Sequence, residues 1–287
     1  TDVFAEIDPQ QKERIVRALQ RGGHAVGYLG DGINDAPALH AADVGVSVDH
    51  AVDVARESAD VVLLKPDLDS LRQGVVDGRR TFANTLKYIS MTTSANFGNM
   101  LSMALAVPLL PFLPLAAKQI LLNNFLSDLP SIAISTDNVD ASRTAEAEGW
   151  RIAEVQRFMV VFGLISTAFD LVTFAILLYA FEAGQALFQT AWFVVSVLTE
   201  LAVVMVLRTR GPAYRSPPSR ALLWTTFLVG ALTFALPYVP PIAALFGLVP
   251  LPPVLLGAMV VIVLGYVAAT EAAKARFYRR GDRRRER

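Results

Sequence analysis

The stretch Gly30-Asp31-Gly32-Ile33-Asn34-Asp35-Ala36-Pro37-Ala38-Leu39 follows directly on the apolar run Ala25-Val26-Gly27-Tyr28-Leu29. A short apolar run that stops at a glycine reads as a buried strand. Such a strand delivers two aspartates and an asparagine to its C-terminal end, where open α/β sheets place their active sites. Gly30 and Gly32 permit tight turning and close backbone approach, and Pro37 suits the first turn of a following helix. Paired aspartates are hard oxygen ligands suited to Mg²⁺, which takes one or two carboxylates together with phosphate and water.

Working outward, Asp8-Pro9 precedes residues 10–20, where Ile15, Val16 and Leu19 form an apolar stripe at helical spacing. Residues 44–48 and 61–64 are further β-rich runs. Short strands alternating with helices predict a parallel, doubly wound sheet over 1–66. That is short for a whole domain, so part of the sheet is expected upstream. The chain opens at Thr1 with no start methionine, and is expected to be a piece of a longer polypeptide.

Lys65-Pro66-Asp67 ends the last of these runs, with Asp67 placed to cap a helix. A stalk helix is expected over 67–87, with Arg72, Arg79, Arg80 and Lys87 exposed. It is expected to continue into the membrane and to carry changes in the soluble segment to the polar residues there. The chain's 287 residues are 53% apolar, with mean hydropathy +0.43, which points to membrane spans. About six are expected, near 88–108, 115–136, 157–181, 187–207, 220–239 and 252–272, each about 20 residues long. The first two form a helix pair over 88–136, followed by a loop over 137–156, four further spans over 157–272 and a basic tail over 273–287.

Arg143, Arg151 and Arg157 lie between the second and third spans, and Arg208, Arg210, Arg215 and Arg220 between the fourth and fifth. The intervening loops 108–114, 182–185 and 240–253 carry neither Lys nor Arg. Residues 1–87 and the tail are therefore expected in the cytoplasm. An even number of spans requires the two ends to agree. The tail is expected to meet anionic lipid headgroups. Trp192, Tyr238, Tyr266 and Tyr278 fall near span ends, as interfacial aromatics do.

Polar residues inside a span are costly and mark function by default. Asn96 and Asn99 share a face of the first span; Asn124, Ser127 and Asp128 share one in the second, with Asn123 beside them. Pro130 frees backbone carbonyls nearby. Two facing helices thus offer amides, a hydroxyl and a carboxylate, a candidate cation site. Its rival is interhelical hydrogen bonding that holds the bundle together. Asp170 and Glu200 are further intramembrane acids that could line the pathway, supply a proton counter-charge or pair within the bundle.

The run from Gly30 to Leu39 resembles the hinge motif of P-type ATPases, members of the haloacid-dehalogenase-like superfamily. The resemblance implies a partial phosphorylation domain of α/β haloacid-dehalogenase-like fold, followed by an all-α membrane bundle of about six helices. It implies that Asp31 binds the catalytic Mg²⁺, while Asn34 and Asp35 orient phosphate, metal and the hydrolytic water; Asp35 is a further candidate ligand of that Mg²⁺, and Gly30 and Gly32 line its loop. Lys12, within Phe4-Ala5-Glu6-Ile7-Asp8-Pro9-Gln10-Gln11-Lys12, is similar to the family's phosphate-facing lysine, whose charge offsets that of the transferring phosphoryl group. Asn96, Asn99, Asn124, Ser127 and Asp128 match the family's ion-coordinating helices. Where calcium pumps carry a glutamate, this chain has Asn99. One aspartate among amides suits an ion that keeps part of its water shell, as Mg²⁺ does. Ser94-Ala95-Asn96-Phe97-Gly98-Asn99 and Ala186-Leu187-Phe188-Gln189-Thr190-Ala191-Trp192-Phe193 most resemble bacterial magnesium-importing pumps of the plasma (inner) membrane.

The family's phosphorylated Asp-Lys-Thr-Gly-Thr motif is absent, as are its nucleotide-binding and actuator domains and first four membrane helices. ATP is therefore expected as a substrate bound mainly outside this chain, which alone should be inactive. With 26 basic and 26 acidic residues, bulk charge suggests no nucleic-acid partner. The absence of cysteine excludes thiolate chemistry, and His24, His40 and His50 show no metal-ligand spacing. The rival readings are a pump for Ca²⁺, H⁺ or another cation, a membrane-anchored phosphatase, and a non-catalytic fragment.

Overall fold

Asp8 starts the first helix by a reciprocal cap. Its side chain accepts from the Gln11 amide at 2.7 Å, and Gln11 Oε1 accepts from the Asp8 amide at 2.9 Å. Pro9, at the first helical position, lacks only an N–H that would have had no partner. The computed structural model describes residues 3–65, 67–145 and 149–285. Pro66, expected to help end the third strand, lies outside them, as do the side chains from residue 280 onward, which hold most of the basic tail. The described chain divides into two units, Thr1–Asp77 and Gly78–Arg287.

The first unit contains α1 (Pro9–Arg21), β1 (Gly27–Leu29), α2 (Ala36–Ala41), β2 (Val44–Val48), α3 (Asp53–Glu57) and β3 (Val61–Leu63). The three strands are parallel in the order β1-β2-β3, with Gly27 opposite Val44 and Val46 opposite Val61. All three expected β runs are therefore strands, the second at its expected bounds and the first and third each trimmed at one end. Leu39, Ala51 and Ala55 form a small core with Tyr28, Val48 and Ala59 packed on it. Leu29, Val44, Val61 and Val62 remain exposed. His24, His40 and His50 are all exposed.

Asp67 caps α4 (Leu68–Ala106), accepting from the Asp69 amide and the Ser70 hydroxyl, both at 2.9 Å. The rest of the second unit comprises α5 (Ala117–Ala133), α6 (Ala141–Ala145), α7 (Ile152–Ala175, prolonged by a π-helical turn Ile176–Ala180), α8 (Gln185–Leu207), α9 (Arg220–Ala235), α10 (Pro240–Phe246) and α11 (Pro253–Arg285). The short helices α6 and α10 lie where loops were expected. In α10, Pro240 and Pro241 preset the helical backbone at the first two positions, and Gly247 ends the helix at φ +67.

Among the described residues, four helices are long and apolar enough to cross a membrane: Ile152–Ala180, Gln185–Leu207, Arg220–Tyr238 and Pro253–Arg279. They coincide with the last four expected spans. The first two expected spans fall on α4 and α5, whose asparagines, serines and charges dilute their hydropathy. α8 is the axis of the bundle: 83% of its apolar window is buried, against 28% for α9 and α11. It packs against α5, α7, α9 and α11. Trp192 and Tyr266 are fully buried in this packing, each ring surrounded by neighbouring helices. The buried residues of α4, Asn84, Lys87, Met91, Ser94, Gly98, Ser102 and Ala106, recur at three- and four-residue intervals along one face. Gly98 lets α4 approach α7 closely, since a Cβ there would lie 2.8 Å from Ser166 Cβ.

Lys87 is buried and not exposed as expected, because the loop after α5 folds over it. Its ammonium donates to Asp137 Oδ2 at 2.8 Å and to the Asn138 carbonyl at 2.7 Å. Arg208, at the end of α8, lies 3.3 Å from Asp137, which also accepts from the Ser219 amide at the start of α9. All three charged side chains are at most 2% exposed. A carboxylate shared by two buried cations cannot be removed without leaving both uncompensated. Asp137→Ala is therefore expected to cost about 3–5 kcal/mol. Asp69→Ala, which breaks the exposed Arg72–Asp69 pair, should change stability by less than about 1 kcal/mol. Thermal unfolding of the two variants in lipid checks the contrast; equal effects would show that the buried cluster contributes no more than the exposed pair.

Candidate active site and cation site

In the first unit, β1 ends where the backbone must pass close to Asp35. A Cβ on Gly30 would lie 2.5 Å from Asp35 Cβ, so only glycine fits. The Gly30 amide continues the sheet by donating to the Val46 carbonyl, and its carbonyl accepts from the buried Ser47 hydroxyl at 2.8 Å. A 3₁₀ turn, Ile33–Asp35, then leads into α2. Asp35 is buried beneath the loop. Its Oδ1 accepts from Lys12 Nζ at 2.7 Å and Tyr28 Oη at 2.8 Å, and its Oδ2 from the Gly32 amide at 3.1 Å. Lys12 of α1 and the loop after β1 are thereby brought together across 23 residues of sequence. Asp31 and Asn34 are exposed on the same loop.

Burial alone would raise the Asp35 carboxyl, but the hydrogen bonds from Lys12, Tyr28 and the Gly32 amide outweigh it and hold the group below its ordinary value. The bond to Asp35 raises Lys12 above its ordinary value, against the opposing effect of desolvation. The two aspartates are therefore unlike. Both oxygens of Asp35 are already engaged, whereas Asp31 is turned to solvent at the strand end. Asp31 fits a Mg²⁺ ligand by its chemistry and exposure, and Asp35 fits a group that positions Lys12.

In the second unit, Glu200 of α8 accepts on Oε1 from Asn99 Nδ2 of α4 at 2.5 Å and from Asn123 Nδ2 of α5 at 2.8 Å. Ser196, one turn earlier on α8, lies 3.5 Å from the same oxygen and from Asn99 Oδ1. A cavity of about 180 Å³ opens beside Glu200, lined also by Asn96, Asn124, Ser127 and Asp128. A second, of about 350 Å³, is lined by Asn96, Asn99, Asn123, Asn124 and Trp192 among apolar residues. Asn96 and Asn124 thus border both. Every polar position singled out on α4 and α5 borders one of the two cavities, and Glu200 joins them from α8, 77 residues after Asn123 and 101 after Asn99. Asn123 Oδ1 is buried with no hydrogen-bond partner in the described structure. Among the described residues, no three His, Cys, Asp or Glu come together. Amides and hydroxyls therefore predominate around two carboxylates. Asp170 lines neither cavity.

Sequence reasoning did not find Tyr28, Ser47, Ser102 or Ser196. Tyr28 carried a signal, a phenol within an otherwise apolar strand, since a buried tyrosine needs a partner for its hydroxyl. The serines sit one helical turn or one strand from their partners and are silent in sequence.

Residues 112–276 match the family described as Cation transporting ATPase, C-terminus. The chain belongs to this cation-transporting ATPase family. It is 46% identical over 285 residues to a magnesium-transporting ATPase, P-type 1, of Escherichia coli (strain K12), covering 98% of this chain and 32% of that protein. A protein of the same description from Salmonella typhimurium (strain LT2) is 45% identical over the same shares. A calcium-transporting ATPase of Bacillus subtilis (strain 168) is 31% identical over 271 residues, 88% of this chain and 29% of that protein. The chain thus spans about a third of the length of these relatives.

The pH dependence of the first site follows from its two signs. The depressed Asp35 contributes stability that is complete above the ordinary carboxylate range and is lost as pH falls through its lowered value. The raised Lys12 contributes below its ordinary value and loses this only as pH rises through its raised one. The pair is intact at neutral pH. Lys12→Met should return Asp35 upward, so that hydrogen-exchange protection of β1 and α2, measured in the full-length protein, fails at higher pH than in wild type. Coincident acid limits would show that Lys12 does not hold the carboxylate.

Proposed function

We propose that the chain is the C-terminal part of an ATP-driven magnesium pump of the P type. The observation that carries the reading is the Glu200 carboxylate, held at the bundle axis by amides from α4 and α5 and opening on a cavity shared with Asp128. In this reading α4 and α5 also cross the membrane, making six spans. Their weak hydropathy is the consequence of carrying the site. Residues 1–66 are the C-terminal part of a haloacid-dehalogenase-like phosphorylation domain, cytoplasmic together with the tail, in the plasma (inner) membrane.

Asn96, Asn99, Asn123, Asn124, Ser127, Asp128 and Glu200 form the binding region of the transported cation. Two carboxylates balance a divalent charge, while neutral oxygens can accept an ion that retains water. The similarity to magnesium-transporting relatives across nearly the whole chain supports Mg²⁺ over Ca²⁺. In the first unit, Asp31 and Asn34 meet the phosphorylated group and the catalytic Mg²⁺, which supplies charge neutralisation there. Asp35 holds Lys12 towards it, with Gly30 and Gly32 allowing the loop its close turn. ATP and the phosphorylated aspartate belong to segments before this chain. α4 passes changes in that domain to the cation site.

The test is ATP-driven flux by the full-length protein in lipid vesicles, with Mg²⁺ and Ca²⁺ followed in parallel. Asp128→Asn should lower Mg²⁺ flux by at least about tenfold, comparable to or beyond what outer-shell changes cost metal sites, while phosphorylation from ATP persists. Ca²⁺ or proton flux without Mg²⁺ movement would overturn the ion, and no ATP-driven flux of any cation would overturn the pump.

A further inference from the structure

Asp170, in the middle of α7, is 2% exposed. Its Oδ1 accepts from the Trp192 indole Nε1 of α8 at 3.0 Å, and its Oδ2 lies 2.6 Å from the Ser102 hydroxyl of α4. The same hydroxyl oxygen lies 2.8 Å from the Gly98 carbonyl, one turn back on α4. A serine hydroxyl has one hydrogen and two lone pairs. It cannot donate to the carbonyl and to a carboxylate together. A carbonyl and an ionised carboxylate can both only accept, so with Asp170 ionised one of these two short contacts would have no hydrogen. A hydrogen on Asp170 supplies the second and leaves the serine hydrogen for Gly98.

We propose that Asp170 is a protonated positioning residue that ties α4 to α7 and α8, and not a ligand of the transported cation. As an acid it donates from Oδ2 to Ser102 Oγ while accepting on Oδ1 from Trp192, so every polar atom in the cluster is satisfied. The ionisable groups facing it are Glu200 on α8 and Tyr266 on α11. Ser102 and Gly98 face it from α4. Among the described residues no cation is paired with it. An ionised carboxylate there would be a buried charge with no counter-charge.

The placement explains what the clamp does. Ser102 stands one turn after Asn99 on α4, and Trp192 two turns before Glu200 on α8. The Asp170 cluster thus holds in register the same two helices whose Asn99–Glu200 contact defines the candidate cation site. A neutral acid can do this without competing with Glu200 for the ion.

Asparagine is the discriminating substitution, because its amide donates and accepts in the pattern of the protonated acid. In full-length protein in lipid vesicles, Asp170→Asn should keep the thermal midpoint and leave cation flux within about twofold of wild type, as expected when no buried donor or acceptor loses its partner. Asp170→Ala leaves the Trp192 N–H unpaired and should lower the midpoint and weaken cation affinity. Infrared spectroscopy should show the carbonyl stretch of a protonated carboxylic acid that disappears in Asp170→Asn. These infrared and thermal readouts do not depend on which ion is moved, so the inference can fail while the pump assignment stands. It is overturned by an absent protonated-acid band, by a destabilised Asp170→Asn, or by loss of cation flux in Asp170→Asn with stability unchanged.

Discussion

A carboxylate at the centre of an apolar helix bundle needs hydrogen-bond donors, and Glu200 imposes that requirement on its neighbours. α8 buries most of its surface, so the donors must come from the helices packed on it. Asn99 and Asn123 supply them from α4 and α5. Those two helices carry several polar residues, and together with α8 they line both cavities. The site's chemistry and the weak hydropathy of its helices have the same cause.

The rest of the bundle fixes the geometry of that contact. Gly98 and Ser166 allow α4 and α7 to meet closely, and Asp170 joins α4, α7 and α8 through side chains with no net charge in the proposed arrangement. Midway along α4, Lys87, Asp137 and Arg208 form a charged counterpart. There the charges are buried but paired, and the loop after α5 is bound to the middle of α4 and the end of α8. α4 is therefore held along its buried face at three levels: by an ion pair, by the Glu200 amide contact and by the Asp170 cluster.

The first unit shows the same economy on a smaller scale. Gly30 has no side chain because Asp35 occupies the space, and Asp35 in turn fixes Lys12. The exposed Asp31 is left free of this network. Two aspartates four residues apart thus acquire different environments and different chemical capacities.

Much of this was legible in sequence. The strand ending at Gly30, the helix cap at Asp67, the four most apolar spans and the polar faces of α4 and α5 all follow from local pattern and spacing. Local pattern could not decide which polar residues meet. Lys87 reads as one more exposed base on a charged helix, Trp192 as an interfacial ring, and Glu200 and Asp170 as similar acids. Their partners on other elements lie between 22 and 101 residues away along the chain, and periodicity carries no information about contacts at that separation. Tertiary packing alone places Glu200 beside a cavity with amide donors, and Asp170 between a serine and an indole. The sequence by itself determined which segments become strands and helices, because backbone preference and apolar spacing are local. Only the tertiary structure decided which charges are paired, which are buried and which face open space, because those depend on helices that meet from distant parts of the chain.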